Sequence, residues 1–128
     1  MGDPLLTYAE ALFKRVAWAE AQRAALIAAI ESTRAARSLD FADDEHDPDG
    51  SLASLDQARD SALLERTEQT LAELVAAQHR LEAGTFGVCE ICGQEISPER
   101  LLARPETRDC ISCAQRRGRR GRHHRQVR

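Results

Sequence analysis

Apolar residues return along the first forty positions at the spacing of a helix. Leu5, Leu12, Ala19 and Leu26 lie in one row at sevens; Leu6, Phe13 and Ile27, with Val16 and Ile30, form the row beside it. Asp3 can cap the helix start, and Pro4 suits the first helical position, where the missing N–H has no partner to lose. The spacing predicts a helix from residue 4 to about 38, roughly 50 Å long at 1.5 Å per residue. A second run begins near Leu52. In it Leu64, Thr67, Leu71, Leu74, Gln78 and Leu81 alternate steps of three and four, a heptad seam with two polar interruptions. Gly84 can take the left-handed conformation that closes a helix. Two long helices joined by a short polar segment predict an antiparallel hairpin over residues 1–84. A coiled coil used only for dimerisation or spacing satisfies the same pattern, and the oligomeric state stays open.

The segment between the runs reads DDEHDPDG, residues 43–50, and five of its residues are acidic: Asp43, Asp44, Glu45, Asp47 and Asp49. The macrodipole favours negative charge at the start of the second helix, and Asp47 before Pro48 is a candidate cap. Five acids exceed what capping requires, and they repel one another.

Composition narrows the classes. Aromatics are 4 % of the chain and alanine is abundant, which suits helices packing on each other better than a large globular core. No apolar run is long enough to span a bilayer and no secretory signal is visible, so the expectation is a cytoplasmic protein without a membrane partner. The net charge of −3 hides an asymmetry. Residues 116–128 hold seven arginines and no acid, which leaves the rest of the chain with 11 basic and 21 acidic residues.

The candidate chemistry lies in four cysteines. Cys89 and Cys92 form one C-x-x-C, Cys110 and Cys113 another, with seventeen residues between the pairs. In a reducing compartment this spacing points to one structural zinc ion, because two intervening residues let a tight turn aim both sulfurs at a metal about 2.3 Å away. Gly93 follows the first pair, where the turn can need a positive φ. Disulfides are disfavoured there, a thioredoxin-like site would need a βαβ context, and four thiolates leave no open position for a catalytic water. Ser97-Pro98-Glu99 reads as the cap and first turn of a short helix carrying Leu101 and Leu102. Few apolar residues follow Gly84, so the metal is expected to fold residues 85–117, with Thr85, Phe86 and Val88 packing the module against the end of the hairpin.

A helical hairpin running into Phe86-Gly87-Val88-Cys89, Cys92-Gly93, Arg100-Leu101-Leu102-Ala103-Arg104-Pro105 and Cys110-Ile111-Ser112-Cys113 resembles the DksA/TraR family. The resemblance covers roughly residues 40–117. It implies a non-enzymatic bacterial transcription regulator that binds RNA polymerase directly, with the coiled coil entering the secondary channel. The acidic residues of 43–50 would then be a tip that approaches the catalytic centre. The best-known members carry D-x-x-D-x-A there. Counting back the same distance from the first cysteine gives His46, Asp49 and Ser51; a second frame gives Asp44-x-x-Asp47-x-Asp49, without the alanine.

The end of the chain, RRGRRGRHHRQVR, has two glycines and little apolar content, and residues 118–128 are expected to be disordered in isolation. A solvated tail and a tail whose Arg116, Arg117, Arg119, Arg120, Arg122 and Arg125 meet phosphate or an acidic surface both fit this composition. His123 and His124, beside arginines, are poor metal ligands next to four thiolates. Trp18 and Tyr8 are expected to pack on the first helix. The expected fold is mainly α: an antiparallel helical hairpin (a coiled coil), a small four-cysteine zinc-finger module and a basic tail. Two rivals to the polymerase regulator stand beside it. One is a zinc protein binding nucleic acid nonspecifically through its tail; the other is a structural coiled-coil adaptor.

Overall fold

In the computed structural model four helices follow one another: α1 (Pro4–Asp40), α2 (Pro48–Ala83), α3 (Pro98–Ala103) and α4 (Ile111–Gln126). The structure describes residues 2–40 and 48–126, with side chains at 2–39 and 52–119. Of the acidic segment, Asp43, Asp44, Glu45, His46 and Asp47 lie outside the described residues. Asp49 falls in the first turn of α2, with its side chain outside them.

Asp3 caps α1 as its sequence suggests. Its carboxylate accepts from the Leu5 N–H at 3.0 Å, and its carbonyl accepts from the Leu6 and Thr7 N–H groups at 3.1 and 3.3 Å. At the same end of the antiparallel pair, Gly84 stops α2 with φ +77°. The Thr85 N–H then bonds the Arg80 carbonyl at 2.9 Å, satisfying an acceptor that the helix leaves open.

The two long helices pack as a hairpin, and the chain divides into two compact units, residues 15–72 and residues 1–14 with 73–128. Within the first, the Arg23 Nε meets Glu68 Oε1 at 3.3 Å and Arg37 donates to Gln57 Oε1 at 3.0 Å. The α2 partner number falls as the α1 number rises, so the helices run antiparallel. Ala53, Gln57, Asp60, Leu64, Thr67 and Leu71 are the half-buried positions of a seven-residue repeat. They extend back the seam that the sequence shows from Leu64. Thr67 sits in that seam without an unpaired hydroxyl, since its Oγ1 donates to the Leu63 carbonyl at 2.8 Å. On α1, Ala19 and Ile30 are buried and Leu26 and Ile27 half-buried.

In the second unit Leu12, Leu74 and Ala77 are fully buried. The two expected rows of α1 are only partly inward. Leu5, Leu6 and Phe13 are exposed, while Tyr8 turns inward instead. Exposure does not divide along the rows, since Val16 and Ile27 of the second row are half-buried and Ile30 is buried, while Leu5 of the first is exposed. Trp18, in the first unit, is likewise exposed; the Arg15 guanidinium lies 5.5 Å from its ring centroid.

α4 continues through the arginines to Gln126. Arginine is a good helix former, and starting a helix is its costly step. Here the first turn is closed beside the second cysteine pair by the Ala114 N–H on the Cys110 carbonyl at 3.0 Å.

Candidate metal centre

The first cysteine pair is carried by a tight hairpin. Val88 and Glu95 form a single antiparallel bridge; the Cys89 N–H bonds the Gln94 carbonyl at 2.8 Å, and the Ile96 N–H the Gly87 carbonyl at 2.8 Å. The Gly93 N–H returns to the Cys89 carbonyl at 2.9 Å with φ +75°, the left-handed conformation expected there. Gly87 is also left-handed, at φ +83°, and a methyl on it would stand 3.3 Å from the Leu101 side chain. That position needs glycine for its backbone and for the close approach of α3, a need its sequence context did not announce.

The second pair begins at Cys110 and enters α4. The two pairs are tied by the Glu90 N–H on the Arg108 carbonyl at 2.9 Å. Between them, Ser97 caps α3 as expected: its hydroxyl accepts from the Arg100 N–H at 3.3 Å. α3 places Leu101 in a small core with Cys89, Ile96 and Cys113, against which Tyr8 and Phe86 pack. The Tyr8 and Phe86 rings lie 5.2 Å apart, tilted by 47°, a favourable aromatic arrangement. Phe86 therefore packs as expected, whereas Val88 and Leu102 stay largely exposed and Thr85 uses its hydroxyl on the Arg80 carbonyl.

Asp109, one residue before Cys110, is the buried charge of this module. Its carboxylate pairs with Arg117 on α4. Its carbonyl accepts from Arg100 Nε at 3.0 Å and from the Thr107 hydroxyl at 3.2 Å. One residue thus joins α3, the loop and α4 at the cysteine pair. The first arginine of the Arg100–Pro105 segment acts here, by holding Asp109. From α2, Arg80 reaches the Glu106 carbonyl at 3.4 Å; burial, and then the nearby Arg108, push its pKa below the usual arginine value.

The four sulfurs of Cys89, Cys92, Cys110 and Cys113 lie within 4.8 Å of one another. Those of Cys92 and Cys110, from different pairs, are 3.7 Å apart. Tetrahedral zinc with bonds of about 2.3 Å separates its sulfurs by about 3.8 Å, so the set fits one four-coordinate ion. Cys89 and Cys113 are buried while Cys92 is exposed. Backbone groups of Cys92 and Cys110 pull the Cys89 thiol down to about 6. Hydrogen bonding to Cys110, with burial, pushes the Cys113 thiol up to about 12. Four crowded sulfurs cannot all carry charge alone, and a dication resolves that repulsion. With all four positions supplied by protein, the ion has no site for a reacting water; its role is structural.

Of the basic residues named from the sequence, Arg116, Arg117 and Arg119 lie on α4 and are exposed. Arg117 is engaged with Asp109. Arg120, Arg122 and Arg125 follow on the same helix, with side chains outside the described set. No helix among the described residues is long and apolar enough to cross a membrane.

Residues 84–118 match the family model described as the prokaryotic dksA/traR C4-type zinc finger. An uncharacterized protein of Aquifex aeolicus is 50 % identical over 46 residues, 36 % of this chain and 32 % of that one. General stress protein 16O of Bacillus subtilis is 38 % identical over 65 residues, 51 % of this chain and 40 % of that one. RNA polymerase-binding transcription factor DksA of Escherichia coli K12 is 38 % identical over 63 residues, 49 % of this chain and 37 % of that one. The matches thus span between about a third and two fifths of these relatives' length. Among solved structures, transcription factor DksA2 from Pseudomonas aeruginosa superposes with a TM-score of 0.56 at 27 % identity, over 96 % of this chain and 95 % of that one.

Proposed function

We propose that this chain, whose residues 84–118 match the dksA/traR C4-type zinc-finger model, is a cytoplasmic, non-enzymatic regulator of transcription that binds RNA polymerase directly. Cys89, Cys92, Cys110 and Cys113 hold one zinc ion, whose binding energy is largely the folding energy of the module. The module sets the base of the hairpin. The hairpin carries Asp43, Asp44, Glu45, Asp47 and Asp49 toward the secondary channel and catalytic centre. There the carboxylates pair with basic residues of the polymerase or perturb its magnesium site. This accounts for an acid density that helix capping does not require.

The observation that supports this reading most is the likeness to DksA2 along nearly the whole chain, hairpin and metal centre together. A coiled-coil adaptor would not need a centre of this design. The test is paired. Purified polymerase core should retain the protein, and competing DNA should not displace it. Asp44, Asp47 and Asp49 changed together to Asn should leave binding largely intact, since Asn also caps helices, but should abolish the effect on promoter-complex lifetime. A triple variant that binds and alters lifetime as the parent does removes the tip from the mechanism. A protein that does not bind core at all removes the polymerase reading.

A further inference from the structure

Within residues 15–72, five large apolar side chains are exposed among those described: Trp18, Leu39, Leu52, Leu55 and Leu63. Four of them share one side of the helix pair. Ala19, Leu26 and Thr33 stand at heptad position d of α1, and Ala53, Asp60 and Thr67 at d of α2. Arg23, Arg37 and Gln57 then fall at a and Glu68 at e. The contacts of Arg23 with Glu68 and of Arg37 with Gln57 therefore mark one side of the pair. Trp18, Leu39 and Leu52 fall at c and Leu63 at g, on the opposite side of an antiparallel pair. Leu55, at f, faces away from both. We propose that the c/g side binds a second copy of this chain, closing two helix pairs into a four-helix bundle over residues 15–72.

The first support is what the pair takes in and what it leaves out. The inward α2 positions include Gln57, Asp60 and Thr67, while Trp18 is 54 % exposed and Leu39 77 %. A helix pair standing alone would gain from the reverse, because burying apolar surface stabilises and burying polar groups costs. In a four-helix bundle the larger core lies between the pairs, and large residues on one lateral side are then in place.

Chemistry and size name the occupant. Ala29 and Ala36, at g, keep the side low enough for close packing. Asp56 there is answered within α2 by Arg59 at 3.9 Å, and the Arg15 guanidinium lies 5.5 Å from the Trp18 ring centroid. Tryptophan and arginine beside apolar residues are the composition of a protein interface. Residues 18–39 span about 32 Å of α1, and two adjacent helices are about 20 Å wide. A single partner helix would cover half that width, whereas a second helix pair covers all of it. The contact then buries about 600 Å² on each copy, enough for a specific dimer though below the standard size, so micromolar association is expected. A two-fold axis brings the same patch to itself, so the apolar side is its own complement. Self-pairing of this kind does not depend on polymerase binding.

The experiment is sedimentation equilibrium of the full-length, zinc-loaded protein, from about 1 µM to about 1 mM, a range that brackets micromolar association. The parent should pass from monomer to dimer. Trp18, the only tryptophan, should shift its emission to the blue over the same range as its ring leaves water. Leu63→Glu should weaken association at least about tenfold, as loss of a central apolar contact does. Leu55→Glu, the same change on the surface facing away, should leave it unaltered. A parent monomeric throughout would overturn the proposal, and so would equal losses in the two variants. Dimerisation with unchanged Trp18 emission would place the contact elsewhere and overturn it too, whatever Leu63→Glu does to folding. A monomeric parent whose retention by polymerase core is lost in Leu63→Glu would give this side to the polymerase instead of a second copy.

Discussion

Residues 15–72 and the module around the cysteines reach order in different ways. In the helix pair, the inward α2 positions run Ala53, Gln57, Asp60, Leu64, Thr67 and Leu71, a seam of small and polar residues. Ala19 and Ile30 are its buried apolar residues among those described. The module has a core of Cys89, Ile96, Leu101 and Cys113, in which two of the four members are metal ligands. Stability in the pair is spread over many weak interactions along two long helices. In the module it is concentrated on one ion. A single change should therefore be nearly silent in one region and decisive in the other.

The largest effect should come from a buried ligand. Cys113→Ser removes a thiolate and leaves an incomplete shell in an apolar pocket. Zinc content should fall to near zero, and residues 84–118 should become sensitive to protease, because structural zinc supplies on the order of 10 kcal/mol to modules of this kind. Most of the helical circular-dichroism signal should survive, carried by α1 and α2. Collapse of the whole helical signal would show that the two regions are not separable. Unchanged zinc content would remove the metal centre itself.

Acid should do reversibly what that substitution does permanently. Protons compete with zinc for the thiolates, so zinc affinity should fall as pH falls. In the metal-free module the two shifted thiols act in opposite directions. Cys89, lowered to about 6, favours the fold once its thiol is ionised, and that contribution is lost as pH falls through about 6. Cys113, raised to about 12, favours the fold while protonated, a contribution lost as pH rises through about 12. Zinc binding should release protons from the cysteines, because ligation requires thiolates, measurable by titration calorimetry in buffers of different ionisation enthalpy. Binding without proton release would contradict ligation by thiolates.

Between these effects and silence lies the ion pair of Asp109 with Arg117. Asp109 is 10 % exposed at its side chain, but Arg117 is 65 % exposed, so solvent screens much of the attraction. Arg117→Ala should still cost roughly 1–3 kcal/mol, since it leaves a largely buried carboxylate without its cation. Loss of helix in α4, read from the amide exchange of residues 114–119, should accompany it. Asp109→Asn should be milder, because the carbonyl that holds Arg100 and Thr107 remains.

The same contrast governs what could be read from the chain. The hairpin, the Asp3 and Ser97 caps, the Gly84 stop and the four sulfurs were legible, because each follows from local spacing or backbone chemistry. The exposure of Leu6 and Phe13 was not: periodicity identifies apolar positions, while only the packing partners decide which of them are covered. Asp109 was missed because an acid before a cysteine looks like any loop acid until α3 and α4 close on it. Low apolar content argues for disorder of residues 118–128 in isolation, whereas α4 begins at a turn the metal module has already closed. The acids of 43–50 were legible as charge.

The smallest effect should be found at the ion pair that most resembles Asp109–Arg117 on paper. Arg23 and Glu68 approach to 3.3 Å across the helix pair, with side chains 48 % and 50 % exposed. Both ends remain hydrated when the pair is broken, so no uncompensated charge is left in a dry site. Arg23→Ala should therefore cost about 0.2–1 kcal/mol, and part of that should come from the aliphatic stem rather than the charge. Salt separates the two contributions. At about 1 M ionic strength the screening length falls to about 3 Å, and the charge contribution should vanish while the packing contribution persists. Thermal melts of parent and variant at low and high salt give both. A loss as large as that of Arg117→Ala would mean that the seam depends on this one pair, and the picture of stability spread along the helices would fail.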